Sequence, residues 1–501
     1  MIALPDYNNP DDAYFRPDGP DVFVAREQEL AYLNSLLKPA GRLSGQLVLL
    51  YGRRRVGKTV LARRWAEQTG LPIIYWAAER EPAPLQRRKL YARMLGVAAA
   101  DAPAFTSWAD LWKAFAVQLG DRRQILILDE LPHAAESDPA CLSALQHAWD
   151  QHFKNSRLIL LLSGSHVHTM ETLLTQGSPL FGRFTGQWHL QPLPFGALRA
   201  FLPRWPADQR VAAYAIFGGV PAYLERLNPE QSLTENLRSV ILSPGSIFSA
   251  EPDLLLADEV REPRVYRAVL QAVGGGAHTL DEISNAALIG KPHLSAYLTR
   301  LQELRLVERR LPVTVPPGKR GGSRMGRYHL ADPFLRFYYR FVAPQRDEIG
   351  YQLERVLPEI QDQLRAFVGG TAFEALSRQW VAQAGAAGTL PFEPQYVGSH
   401  WSRPVQIDVV AINWREKQIL LGECKWGADA VDRDTVRELL EDKTPKLLQA
   451  LPEAGRWTAA YAFFARSGLT PAARALANEA RAVVVDLKRL DHDLAILGSK
   501  P

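Results

Sequence analysis

Apolar residues along the chain fall into several distinct patterns. In the first 200 residues, short unbroken apolar runs end in glycine or charge: "QLVLLYG", "QILILDE" and "RLILLLSG". Runs this short, about 4–8 residues, predict strands buried on both faces. The helical patterns between them, such as "TVLARRWAEQ", predict a parallel α/β sheet over residues 45–195. Further on, "HTLDEISNAALIGKPHLSAYLTRLQELRLVERRLPV" has helical periodicity broken at Gly290 and before Pro292, which predicts helix, turn, second helix and strand. "YHLADPFLRFYYRFV" sets Phe334, Phe337, Tyr338 and Phe341 at helical spacing, a packing surface for a strut. The charged "APQRDEIGYQLERVLPEIQDQL" continues it as a helical connector. Later, "IDVVAI" and "QILLGECKW" read as two strands around a polar turn.

Bulk properties narrow the picture only slightly. A chain of 501 residues is expected to hold about two to four domains. Hydrophobic residues at 47% and charged residues at 23% exclude wholesale disorder. The net charge of +5 permits nucleic-acid contact without demanding it. Cys141 and Cys424, the only two cysteines, exclude a disulfide framework or a cysteine-rich zinc site. No run approaches the roughly 18 consecutive apolar residues of a membrane span. The Pro- and Asp-rich first twenty residues lack the features of a signal peptide. A cytoplasmic protein with a loosely held tail and no membrane partner is expected.

The first apolar run leads into Gly52-Arg-Arg-Arg-Val-Gly57-Lys58-Thr59, which fits GxxxxGK[ST] between a strand and a helix. Backbone N–H groups around Gly57 can cradle phosphate oxygens, aided by the positive end of the helix. Lys58 reaches the terminal phosphates and the Thr59 hydroxyl ligates Mg²⁺. The second run ends in Asp129-Glu130, an acidic pair that is costly to bury without a cation or donor. Asp129 suits the Mg²⁺ carboxylate, and Glu130 the group that orients or deprotonates the attacking water, so hydrolysis is expected. The third run ends in Ser163-Gly164-Ser165, where Ser163 can sense the γ-phosphate. His166 and His168 follow, but no third ligand accompanies them.

These segments, with "VFVAREQELAYL" before them and "SPLFGRFTG" and "FGGVPAYLE" after them, resemble in order the archaeal-type ATPases of the STAND/AAA+ superfamily. The resemblance covers most of residues 20–340. It implies that the first segment packs near adenine, with Ala25 where a glycine is usual, and that Arg183 senses or completes the phosphate site. It also implies a lid over the nucleotide, closed by Pro221 of Gly218–Pro221. The helix-turn-helix pattern resembles a winged helix. Its wing would be "VPPGKRGGSRMGRYHL", a Gly-rich loop carrying Lys319, Arg320, Arg324 and Arg327. Such cations can neutralise nucleic-acid phosphates; the same element can equally serve as an internal lid.

The strands at 405–426 carry Asp408, Glu423 and Lys425 among apolar residues. A hairpin turning about Arg415-Glu416 that sets Ile412 opposite Ile419 also sets Asp408 opposite Glu423, with Cβ atoms about 4.5–5.5 Å apart. Glu423 and Lys425 share a face. Facing carboxylates repel, and a hard divalent cation, Mg²⁺ or Mn²⁺, removes the conflict. Lys425 can then neutralise a phosphate or help deprotonate water. A salt-bridged sheet without metal is the alternative. The spelling resembles the PD-(D/E)xK nuclease superfamily, with Asp408 as the metal-binding aspartate, Glu423-Cys424-Lys425 as ExK and Glu374 as the acid on the first helix.

The fold class expected is therefore α/β multidomain. Residues 1–20 are a flexible tail, 21–195 a P-loop NTPase core with a parallel sheet, and 196–255 a helical lid. Residues 256–335 are a winged helix, 336–365 a helical connector, and 366–501 an α/β PD-(D/E)xK-like domain. The function expected is binding and hydrolysis of ATP controlling a Mg²⁺-dependent nuclease that acts on nucleic acid, DNA foremost, with a homo-oligomer as a further partner. An ATP-driven signalling or oligomerisation switch, or a DNA-binding regulator with an inert nuclease-like domain, is the competing reading.

Overall fold

The computed structural model describes residues 22–38, 45–243, 245–257, 260, 262–349 and 352–497. The expected tail at 1–20 lies outside them.

Five parallel strands form the first sheet: β1 (Gln46–Tyr51), β2 (Ile73–Ala77), β3 (Gln124–Asp129), β4 (Leu158–Gly164) and β5 (Gly186–His189). Their order is β2-β3-β4-β1-β5. Alternate residues serve opposite faces, as the pleat requires. Leu47 and Leu49 pack with Trp112, Phe115 and Phe153, while Leu50, Ile125 and Ile159 pack with Leu61 and Trp65. Because β1, β3 and β4 are neighbours, the loop after β1 and the polar ends of β3 and β4 emerge side by side. Open α/β sheets bind ligands at this edge.

Short helices follow from Leu198 onward, including Ala207–Phe217 and Ile247–Ala257. The segment between β5 and these helices meets Gly219 closely. Leu193 N donates to Gly219 O at 2.7 Å, and a Cβ on Gly219 would lie 1.8 Å from Leu193 O. Gly219→Ala is expected to cost about 1–3 kcal/mol as two backbones are forced apart. A thermal-unfolding midpoint equal to the wild type would refute this.

Helices Pro263–Gly274, Leu280–Ala287 and Lys291–Glu303 come next, then a hairpin of β6 (Val307–Arg310) and β7 (Arg327–Leu330). Thr279 and Glu282 form a reciprocal cap on the second helix, and Leu288, in left-handed conformation, ends it. The break falls where Gly290 and Pro292 predict it. Phe334, Phe337, Tyr338 and Phe341 are buried in a core shared with the preceding helices, so their spacing is a packing surface.

The hairpin tip differs from the flexible cationic loop expected. It lies along β8 (Tyr396–Trp401), the edge strand of a second sheet. Val313 N donates to Ser399 O at 3.1 Å, Thr314 Oγ1 is 2.7 Å from His400 Nδ1, and Trp401 Nε1 donates to Met325 O. Arg320 stacks on Tyr396 and Arg327 on Trp401, at 3.9 and 5.2 Å from the ring centroids. Only Lys319 and Arg324 of the four cations stand exposed. Aromatic faces of β8 hold the other two, with Val313 O and Val315 O of the tip also accepting from Arg320, and the contact to β8 is a long-range arrangement that local sequence does not encode.

The second sheet runs β12-β11-β10-β9-β8, with β9 (Gln406–Asn413), β10 (Gln418–Lys425), β11 (Thr458–Ala465) and β12 (Val483–Asp486). β8, β9 and β10 are antiparallel neighbours, and β11 and β12 run parallel to β10. Helix Glu374–Ala386 covers one face through Leu376, Trp380 and Val381, and Val436, Leu439 and Leu447 cover the other. The molecule thus joins a P-loop NTPase-like core to a separate carboxy-terminal sheet domain. No helix among the described residues is long and apolar enough to cross a membrane.

Candidate functional sites

The first site lies beyond β1. Gly57 has φ +91° and turns the chain into helix Lys58–Gln68; a side chain there would be strained. Lys58 is buried, and its ammonium donates to Gly52 O at 3.0 Å, Arg53 O at 3.1 Å and Ser165 Oγ at 2.8 Å. Burial pulls its pKa down, against Glu130 and Asp129, which raise it. Thr59 Oγ1 donates to Asp129 Oδ2 at 2.6 Å, and Tyr75 Oη donates to the same oxygen at 3.0 Å. A hydroxyl and a carboxylate this close are a donor set that suits a hard cation. Glu130 is held in left-handed conformation. Its carboxylate accepts from Ser165 N at 3.0 Å and from Ser165 Oγ. Burial would push Glu130 up, but Lys58 and Ser165 outweigh it and hold the carboxyl below its ordinary value.

Two expected members of this site are placed elsewhere. Ser163 pairs within β4, opposite Leu50, and its buried hydroxyl has no partner. Ser165, just past the strand end, is the hydroxyl that meets Lys58 and Glu130. Arg183 precedes β5, whose pairing starts at Gly186 opposite Val48, near the beginning of β1. Its guanidinium binds Asp150 at 2.7 Å and Pro179 O at 2.9 Å, away from the phosphate loop. Pro221 opens the short helix Pro221–Leu224. Gly218, Gly219 and Val220, just before it, line a cavity of about 330 Å³ with Gln191, Asp332 and Arg336. Ala25 has φ +52°, a conformation glycine takes freely. Arg26 was not singled out by sequence, yet its guanidinium ties this segment to Val56 O at 2.9 Å and Gln191 O at 3.0 Å.

The second site lies where β9 begins and β10 ends. Ile419 pairs with Ile412, the register that the spacing predicts, and the ladder ends at Gly422 opposite Val409. Asp408 sits one step beyond and turns its carboxylate to Cys424 N, 3.0 Å away. Glu423 is only 3% exposed. Lys425 Nζ lies 3.3 Å from its Oε2, and Lys443 Nζ 2.7 Å from its Oε1. Burial and then Asp408 raise its pKa, opposed by both lysines. Glu374, at the start of its helix, is pushed up to about 7 by burial and by Asp408, although Arg378 pairs with it. Arg378 also donates to Asp408 O at 3.0 Å.

Of the four expected residues, Asp408 is therefore within electrostatic reach of both Glu374 and Glu423, and Lys425 pairs with Glu423. Lys443 and Arg378 join them, and sequence gave no local sign of either. Among the described residues, no three aspartate, glutamate, histidine or cysteine groups are gathered closely enough to cage a metal ion by themselves. Mg²⁺ commonly takes only one or two carboxylates and keeps several waters. Asp408 and Glu423, each a hard oxygen donor and mutually repelling, fit that requirement.

Comparison with known proteins follows the same division. A family described as an ATPase domain predominantly from Archaea matches residues 23–227. One described as archaeal and bacterial proteins of unknown function matches residues 338–438. An uncharacterised protein of Methanocaldococcus jannaschii is 32% identical over 425 residues, spanning 84% of this chain and 91% of that protein. Among solved structures, a Walker-type ATPase of Pyrococcus abyssi is 20% identical with a TM-score of 0.44, over 63% of this chain and 95% of that one. The ORC2 protein of Aeropyrum pernix, in ADPNP–ADP complexes, is 17% identical with a TM-score of 0.43, over 70% and 98%.

Proposed function

This chain belongs to the archaeal-type ATPase family, and from that premise we propose an ATP-controlled, Mg²⁺-dependent nuclease that acts on DNA. The observation that carries the nuclease half is the gathering of Glu374, Glu423 and Lys425 around Asp408, where burial first and the Asp408 charge second raise half-buried Glu374 and buried Glu423. Buried like charges are retained at such expense mainly where they work.

In the ATPase half, Lys58 binds the terminal phosphates and Glu130 orients the attacking water. Thr59 and Asp129 would hold Mg²⁺, which supplies neutralisation of phosphate charge. Ser165 now occupies both Lys58 and Glu130. A γ-phosphate gives Ser165 and Lys58 a better partner and frees Glu130 to act. In the last domain, read as PD-(D/E)xK-like, Asp408 and Glu423 would hold Mg²⁺ or Mn²⁺, whose chemistry is activation of water and of a phosphodiester. Lys425, 44% exposed, is the group able to meet an incoming phosphate.

Residues 256–335 are read as a winged helix. With the hairpin tip docked on β8, the surface left to meet a duplex would be helix Lys291–Glu303, where Lys291, paired with Asp281 at 2.6 Å, and His293, Ser295 and Thr299 are exposed. Self-association is part of the proposal: Arg183 pairs with Asp150 instead of reaching its own phosphate loop, and in an assembly it would serve the phosphate site of a neighbouring copy.

The test is incubation of the full chain with linear and circular DNA and Mg²⁺ or Mn²⁺, with and without ATP. Metal- and ATP-dependent cleavage is expected. Lys58→Ala should abolish nucleotide binding and with it the ATP dependence. Wild-type affinity for ATP in that variant would overturn the ATP site. The two lysines already on Glu423 favour a second reading, an inert sheet domain on an ATP-driven switch. Intact ATP-dependent oligomerisation, with no cleavage of DNA or RNA under any condition, would select it.

A further inference from the structure

Phosphate chemistry in the loop is assigned to backbone N–H groups, Lys58 and Thr59. It leaves unexplained why three successive arginines, Arg53, Arg54 and Arg55, fill the variable positions. Two of them are gripped from outside the sheet. Arg53 pairs with Asp332 and donates to Tyr223 Oη at 3.0 Å. Arg55, held at φ +68°, pairs with Glu251 at 3.0 Å. Both guanidiniums lie over the Tyr223 ring, 5.6 and 5.9 Å from its centroid. The Tyr223 hydroxyl donates to Glu251. Glu251 and Asp332 are only 2% and 8% exposed. Charges buried this deeply are stable only while paired, so each grip is strongly specified.

Asp332 has a second attachment. Its Oδ1 accepts from Leu335 N at 2.9 Å and caps helix Pro333–Phe337, while Oδ2 takes the Arg53 guanidinium. One carboxylate therefore joins the phosphate loop to the first turn of the segment that leads to the last domain. Four residues along, Arg336 donates to Leu330 O and Ala331 O. Burial and Arg310 pull it down to about 10, with Arg378 adding to the effect. Arg378 is the residue that holds Glu374 and the Asp408 backbone. The same helix thus meets the nucleotide loop at its beginning, and at its fourth residue Arg336 lines one cavity with Ala372 and Ala375, the latter next to Glu374.

We infer that Asp332 is a positioning residue for the nucleotide loop: through Arg53 it couples the loop to helix Pro333–Phe337, so that phosphate bound in the loop shifts the chain running to the last domain. The inference rests on the ATP-binding half of the proposed function and is independent of nuclease activity.

Asparagine at this position separates the two attachments. Asp332→Asn keeps an oxygen for the helix cap but sets an uncharged amide against Arg53, whereas Asp332→Ala loses both. In the full chain, affinity for a fluorescent ATP analogue, hydrogen exchange of residues 333–342 with and without ATP, and the thermal midpoint are to be measured. Asp332→Asn is expected to weaken ATP binding about five- to tenfold and to erase the ATP-dependent change in exchange. Its midpoint should stay closer to the wild type than that of Asp332→Ala. Arg53→Gln should do the same, and the double variant should be no worse than either single one, because both remove one interaction. Wild-type affinity and exchange in Asp332→Asn, or additive effects in the double variant, would overturn the inference. A wild-type chain that binds no ATP would instead overturn the ATP site itself.

Discussion

Glu130→Gln is expected to leave ATP bound and nearly unhydrolysed, with turnover lowered by about 10²–10⁴-fold. The glutamine is isosteric and keeps an oxygen for Ser165 N, which the wild-type carboxylate engages at 3.0 Å. It cannot accept a proton from water. Lys58, Thr59 and Asp129 are unaltered, so binding persists while chemistry stops. Removing the negative charge also removes the strongest attraction on the Lys58 ammonium, which leaves it freer to move onto phosphate, and affinity should hold or rise. ADP release at saturating ATP, together with a fluorescent-nucleotide titration, measures the two effects separately. Hydrolysis within about twofold of the wild type would move the base to another residue.

The second large effect belongs to the last domain. Asp408→Asn and Lys425→Ala should each lower DNA cleavage by at least about 10²-fold, with ATP hydrolysis unaffected. Asp408 has a further consequence that separates it from a purely structural residue. Its charge helps to raise Glu374 to about 7 and raises Glu423 as well. A carboxyl with a raised folded-state pKa binds its proton more tightly folded than unfolded. Its contribution is favourable below the ordinary carboxylate value and is lost as pH climbs through about 7. Asp408→Asn relieves that loss, so the variant should be less active yet at least as stable as the wild type at pH 8. Denaturation midpoints at pH 5 and pH 8 check the sign. A variant that cleaves normally, or one that unfolds at both pH values, contradicts the assignment.

Local sequence carried the strands and the phosphate loop because both are local in origin. Unbroken apolar runs specify β1, β3 and β4, and Gly57 is required by its own backbone angle. The β9–β10 register was legible because the hairpin turn and alternating burial fix it together. What stayed hidden depends on contacts distant in sequence. Ser163 and Ser165 are alike in composition, and only the length of β4 decides which hydroxyl leaves the core. Lys443 stands 20 residues beyond Glu423 and reaches it from the end of a helical segment packed on the sheet. Arg183 carries no local mark of its partner Asp150. The hairpin tip at 313–327 reads as a solvated cationic loop until Tyr396 and Trp401, some 75 residues away, are seen to receive Arg320 and Arg327.

That docked tip bears on how the protein can be taken apart. Strand β8 forms the outer margin of its sheet, and a bare margin invites strands of other molecules to add to it. Here a strip of the preceding domain occupies it, donating a backbone N–H, two guanidinium–aromatic stacks and a buried threonine–histidine contact. Trimming the chain to its final 150 residues would strip away this guard and leave Tyr396, Trp401 and the Ser399 carbonyl facing water. The carboxy-terminal sheet is separate in topology but not self-sufficient in surface, and the hairpin tip of its upstream neighbour forms part of its cover.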